Sequence, residues 1–146
     1  MKAMEFGSLI RGITANVNYF IGLNVEQYGI KQGQYEYFLL IYTIPGINQL
    51  ELARIKKVGK ASVTKALKKL EEENFVRREV DEHDKRNFHC YVTEKGEKII
   101  DELMMVKMNV EKDLFNGFSK EDKASLYHLL TLLHNNSERL ANSSDK

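Results

Sequence analysis

The chain has 146 residues, 42% of them hydrophobic and 29% charged, with a formal net charge of +1. That length and balance fit one folded domain with its own core and exclude a disordered protein. The single cysteine, Cys90, excludes an internal disulfide framework and suits a reducing cytoplasm, and no apolar run approaches the ~20 residues that a membrane helix needs.

One Pro, nine Gly and many Leu, Ile, Lys and Glu favour a mainly helical protein. No basic flank followed by an apolar stretch opens the chain, so no signal peptide is expected. Residues 6–23 carry Phe6, Leu9, Ile10, Ile13, Val17, Phe20 and Ile21 at helical spacing. After Gly29, residues 31–44 predict a second helix, apolar nearly all round and hence buried on several sides. Pro45-Gly46 stops it. Asn48-Gln49-Leu50-Glu51 has the form of a capping box and starts a short helix that ends near Lys57. Gly59 is expected to make the turn into a further helix, residues 60–73, with Asn74 in the left-handed conformation just past its end. Residues 75–80 and 88–92 are rich in β-branched and aromatic residues and predict a hairpin with a long polar tip at 81–87. Thr93 caps a long helix bearing Ile99, Ile100, Leu103, Val106, Val110 and Leu114. Ser119 starts a last helix with Leu126, Leu129, Leu130 and Leu133, and the polar tail from Asn142 to Lys146 is expected to fray.

The charge is unevenly placed. From Arg54 to Lys69 there are seven bases and no acid. Such a segment is an electrostatic footprint for nucleic acid or an ordinary solvated helix face. A helical projection separates the two sides of 60–73. With Val63 at zero, Ala66, Leu67 and Leu70 fall within about 60° of it and form a core stripe. Ala61, Lys65 and Lys68 point the opposite way, with Ser62, Thr64 and Lys69 on the flanks. Small residues allow close approach to a major groove, hydroxyls bond base edges or phosphates, and Lys reaches guanine or phosphate oxygens. Lys60, Ala61, Ser62, Thr64, Lys65 and Lys68 are therefore the candidate contacts to double-stranded DNA. At the hairpin tip, Arg86 with Lys85 beside it is placed to enter an adjacent minor groove. Asp84 is assigned the support of Arg86 or of a loop amide. A charged loop with no partner has the same composition.

Short helix, turn, basic helix and hairpin is the order of a winged helix-turn-helix, and the chain resembles the MarR family of transcriptional regulators. Pro45 to Ala53 is similar to that family's entry into its helix-turn-helix. Lys60 to Glu71 is similar to its recognition helix. Asp84-Lys85-Arg86 followed by Val92-Thr93-Glu94-Lys95-Gly96 is similar to its wing signature and the start of its long dimerisation helix. The resemblance implies a single MarR-like domain of mainly α (α+β) class. Residues 31–92 would be the DNA-binding lobe, and residues 1–28 and 93–142 the dimerisation helices. It further implies a cytoplasmic homodimer on a pseudo-palindromic operator, acting as a repressor released by a ligand or by oxidation. Three positions depart from the pattern: Gly59 replaces a capping side chain, Asn74 replaces Gly, and Lys56 replaces an apolar residue.

Many relatives bind a small aromatic or anionic effector. Eight of the fourteen aromatic residues lie in residues 1–42. Arg11 with Tyr35 and Tyr37 could hold a phenolic carboxylate, and the same rings equally suit a core and a dimer seam. Cys90, on a wing strand facing the same way as Phe88 and Val92, is expected to be a buried, inert thiol. His83 and His89 on the wing could meet phosphates, and His128 and His134 are expected at an interface or exposed. Four His and one Cys show no metal-ligand spacing, and no catalytic pair or phosphate loop stands out, so no cofactor, metal or enzymatic activity is expected. Two other readings fit the sequence less closely. One is a winged-helix module whose basic helix binds an acidic protein, with weak general DNA binding. The other is a ligand-binding dimer that has lost DNA binding.

Overall fold

The computed structural model describes residues 4–143. The chain divides into two compact units, Met1–Val110 and Glu111–Lys146. The first contains α1 (Phe6–Val25), a 3-10 turn at Glu26–Tyr28, α2 (Gln32–Thr43), α3 (Gln49–Lys56), α4 (Lys60–Glu72), β1 (Val76–Val80), β2 (Phe88–Val92) and most of α5 (Glu94–Leu114). The second contains the end of α5 and α6 (Lys120–Ser143). Every element predicted from the sequence is present. Of the tail expected to fray, Asn142 and Ser143 continue α6, and the rest lies outside the described residues.

In the first unit, α2 packs against α1, α4 and β2, which explains its apolar circumference. Tyr35, Tyr37, Phe38 and Ile41 are all buried. They join Leu52 of α3, Val63, Ala66, Leu67 and Leu70 of α4, and Ile100, Leu103 and Val106 of α5 in one core. Phe38 meets Phe75 edge to face at 5.9 Å. The α4 stripe from the helical projection is thus the stripe that is buried.

Local chemistry fixes the ends of the helices. Asn48 accepts from the Glu51 amide at 2.8 Å, and Glu51 accepts from the Asn48 amide at 3.3 Å, so the capping box of α3 is complete. The turn into α4 differs from expectation. Lys57 is the left-handed residue, with φ 59°, whereas Gly59 is extended with φ −80° and caps α4 without a side-chain bond. The Lys57 amide bonds back to α3 carbonyls, and that closure, not the glycine, reverses the chain. Asn74 is left-handed as expected, with φ 61°.

β1 and β2 pair antiparallel with Val76 opposite Val92 and Val80 opposite Phe88. On its other side β2 receives the α2–α3 turn: the Gly46 amide donates to the Cys90 carbonyl and the Cys90 amide to the Ile47 carbonyl, both at 2.9 Å. The wing is therefore fastened along one strand to the helix-turn-helix. Thr93 caps α5, accepting from the Gly96 amide at 3.1 Å while donating to the Asn74 carbonyl at 2.6 Å. Gly96 lets α5 approach β2. A Cβ there would lie 2.5 Å from the Phe75 carbonyl oxygen and 2.7 Å from Val92.

In the second unit, Ser119 and Asp122 cap α6 reciprocally at 3.0 and 3.2 Å. Phe115 stacks on Tyr127 at 5.7 Å and meets Phe118 edge-on at 5.2 Å. No described residue of α6 is buried in the single chain.

Candidate nucleic-acid interface

Burying Val63, Ala66, Leu67 and Leu70 forces the opposite side of α4 into solvent. Lys60, Ala61, Ser62, Thr64, Lys65 and Lys68 are all exposed there. The α4 N-terminus and the wing tip flank one groove of about 470 Å³, lined by Gln49, Leu50, Lys60, Val63, Thr64, Asp84, Arg86, Asn87 and Phe88. Residues separated by twenty or more positions in the sequence, Lys60 and Thr64 against Asp84 and Arg86, thus meet around one concavity. Lys85 is exposed at the tip.

The Arg86 side chain is 93% exposed, and its guanidinium bonds Asp84, Nε to Oδ1 at 3.3 Å. The same Asp84 oxygen accepts from the Arg86 amide at 3.0 Å. Asp84 therefore does both things expected of it: it braces the cation and folds the loop around it.

Sequence reasoning missed the deeper supports of the tip. Asp81 accepts from the His83 and Asp84 amides at 2.8 and 3.1 Å through one oxygen. Its other oxygen faces His89 Nε2 at 2.8 Å, and His89 Nδ1 faces the Gly46 carbonyl at 2.8 Å. A carbonyl only accepts, so Nδ1 carries a proton. The Nε2 position then bonds the carboxylate well only when it is protonated too. The bond to Asp81 first, and the Gly46 carbonyl second, raise the His89 pKa above its ordinary 6.5, with Glu51 adding to the field. The bond to His89 and the loop amides hold Asp81 down at about 2. His89 is thus an internal strut between wing and α2–α3 turn, which corrects its expected role as a phosphate contact. The Asp at the start of a turn was a local signal for part of this arrangement. Nothing local pointed to His89.

Gln49 was also missed. Its Nε2 donates to the Arg86 carbonyl at 3.0 Å and its Oε1 accepts from the Phe88 amide at 3.2 Å. Lys56, the departure from the apolar pattern, is accommodated by its dual character. Its cation pairs with Glu36 and lies 5.1 Å from the centre of the Tyr37 ring.

Two of the three residues assigned to an effector, Tyr35 and Tyr37, point to different sides of α2. Tyr35 and Tyr37 are two positions apart on α2, about 200° around the helix. The Tyr35 hydroxyl reaches the Leu103 carbonyl of α5 at 3.5 Å, whereas Tyr37 lies under Lys56 of α3. Both rings are buried in the core. Arg11 is exposed and folds back along its own helix over Gly7. Cys90 is fully buried, and burial pushes its thiol up to about 11, the state of an unreactive cysteine. His83 is exposed at the tip, and on α6 His128 is exposed and His134 faces Glu138 at 3.2 Å. No group of metal-ligating side chains occurs among the described residues, and no helix there is long and apolar enough to cross a membrane.

Known proteins share this architecture. The MarR family profile matches residues 30–88, from the start of α2 to the wing. The HTH-type transcriptional regulator YybA of Bacillus subtilis is 31% identical over 135 residues, 92% of this chain and 87% of that protein. YwoH, another HTH-type transcriptional regulator of the same organism, is 30% identical over 74% of this chain and 78% of its own length. Among solved structures, a MarR transcriptional regulator from Methanosarcina mazei Go1 superposes with a TM-score of 0.86 at 28% identity, over 92% of this chain and 96% of that one. A MarR family regulator from Listeria monocytogenes, solved with a 26mer DNA, shares the fold with a TM-score of 0.86 at 20% identity, over 92% and 89% of the two chains. The chain belongs to the MarR family of winged helix-turn-helix transcriptional regulators, a family of regulators and not of enzymes.

Proposed function

We propose that the protein is a sequence-specific DNA-binding repressor that acts as a homodimer. One observation carries the reading: α4 and the wing tip flank a single groove, to which α4 brings Lys60 and the wing brings Arg86. In this reading α4 enters a major groove with Lys60, Ala61, Ser62, Thr64, Lys65 and Lys68, and Arg86 enters the neighbouring minor groove with Lys85 beside it. The Listeria relative with its bound 26mer DNA supports a nucleic-acid partner for this fold. The division of labour follows the sequence: residues 31–92 read DNA, and residues 1–28 and 93–142 hold two copies together. A small aromatic or anionic effector completes the reading by releasing the DNA.

The test is affinity against salt on a duplex from upstream of the protein's own gene. Lys65→Ala weakens binding by about tenfold, as expected for one good base or phosphate contact. Arg86→Ala weakens it and lowers the salt slope by about one. If both variants bound with unchanged affinity and slope, the docking geometry would be wrong.

A further inference from the structure

Among the described residues, the Arg86 side chain is held by its own loop alone. Its guanidinium and amide both bond Asp84, the Asn87 amide bonds the Asp84 carbonyl, and the Asp81 amide bonds the Asn87 carbonyl. All of these contacts move with the tip. Among the described residues, one contact reaches this backbone from outside the hairpin. Gln49 donates to the Arg86 carbonyl and accepts from the Phe88 amide, spanning Asn87 between them, from 37 and 39 residues away. A carbonyl only accepts and an N–H only donates, so these partners fix the amide's orientation. Gln49 is the first residue of α3, inside the completed Asn48–Glu51 capping box, so its own backbone is anchored. It also lies in the groove whose opposite walls carry Lys60 and Thr64 on one side and Arg86 on the other.

We propose that Gln49 is a positioning residue that sets the wing tip against the recognition helix, and so fixes where Arg86 meets the minor groove. This rests on the DNA-binding reading above and adds a specificity determinant to it. The chemistry favours positioning over support of the fold. The Arg86 carbonyl lies at the exposed tip, where water can replace a lost side-chain bond, and the Phe88 amide is only part-buried, so removing Gln49 costs the folded state little. The cost falls on binding, where a tip that is not preorganised must be ordered when DNA arrives. The His89 strut reaches the loop only through Asp81, at the His83 and Asp84 amides, whereas Gln49 bonds the Arg86 carbonyl and the Phe88 amide directly.

The experiment is a double-mutant cycle in the full chain between Gln49→Met and Arg86→Ala. Met keeps the length of Gln and removes both hydrogen bonds. The probe is a duplex enriched from random DNA by the unmutated protein, with affinity measured across a salt series. With Arg86 present, Gln49→Met weakens binding about three- to tenfold, the scale of one or two net hydrogen bonds, and lowers the salt slope as Arg86→Ala does. On the Arg86→Ala background it adds no further loss, because the group it positions is gone. Thermal melts are nearly unchanged, and Gln49→Ala repeats the cycle if the Met variant does not fold. Equal losses in both backgrounds, or no loss with Arg86 present while Arg86→Ala is impaired, overturn the role of Gln49 alone. An Arg86→Ala protein that binds as well as its parent overturns the docking reading and this inference with it.

Discussion

Gly96 shows how much one hydrogen atom in place of a methyl group decides. A Cβ at that position would press on the Phe75 carbonyl oxygen and on Val92, and both belong to a backbone and core that have no room to retreat. Gly96→Ala is expected to destabilise the chain by about 3 kcal/mol, the upper end of overpacking, and to lower the denaturant midpoint without changing the slope. His89 decides a pH dependence. The folded state binds its proton more tightly than the unfolded chain, so the pair's contribution is complete below the ordinary 6.5 and is lost as pH rises through the raised value. At the acid end Asp81 contributes above its ordinary 3.8 and that contribution is lost as pH falls through about 2. Melting temperatures of the parent protein should therefore fall relative to His89→Gln between pH 6 and 9, and parallel curves would contradict the strut. The sequence showed Asp84 and Arg86 two positions apart in one loop, and their contact followed. It did not show that Gly96 faces a carbonyl, or that His89 reaches Gly46 from 43 residues away. Those contacts exist only once β2 has been laid against the α2–α3 turn.

At the level of elements, the strong periodic signals were readable and the turns less so. The stripe of Val63, Ala66, Leu67 and Leu70 is a property of α4 alone, and so is the exposed basic face opposite it. The capping box at Asn48 and the left-handed Asn74 are equally local. The turn between α3 and α4 misled because glycine normally takes the left-handed position. Here Lys57 takes it, at φ 59°, and Gly59 spends its freedom on an extended conformation any residue adopts. Two substitutions follow. Lys57→Gly should stabilise the protein by about 0.5–1 kcal/mol by relieving a left-handed side chain, read as a higher melting temperature. Gly59→Ser, which supplies the missing cap of α4, should stabilise by a few tenths of a kcal/mol, and a loss of stability would show that α4 begins elsewhere.

At the scale of the molecule, both units leave apolar side chains in solvent in the single chain. In α1 these are Phe6, Leu9, Ile10, Ile13, Phe20 and Leu23, and in α6 Leu129, Leu130, Leu132, Leu133 and Leu140. Exposed rows of this size mark an interaction surface. A second copy is the occupant that the proposed function requires, and it also carries a second α4 and a second wing. Sedimentation at micromolar concentration should show a dimer, and a stable monomer would remove the basis for a two-part operator. The family was legible in the sequence because its motifs are local and ordered. The groove between α4 and the wing was not, because its walls meet only through the fold.

The most direct measurement of the central claim is selection from random duplex DNA by the full chain, followed by affinity for the enriched and an unrelated duplex at several salt concentrations. A sequence-reading α4 paired with a wing predicts an enriched pseudo-palindrome with half-site centres about 34 Å apart and a preference of about 10³-fold or more. No enriched sequence, with equal and steeply salt-dependent binding to every duplex, would contradict it.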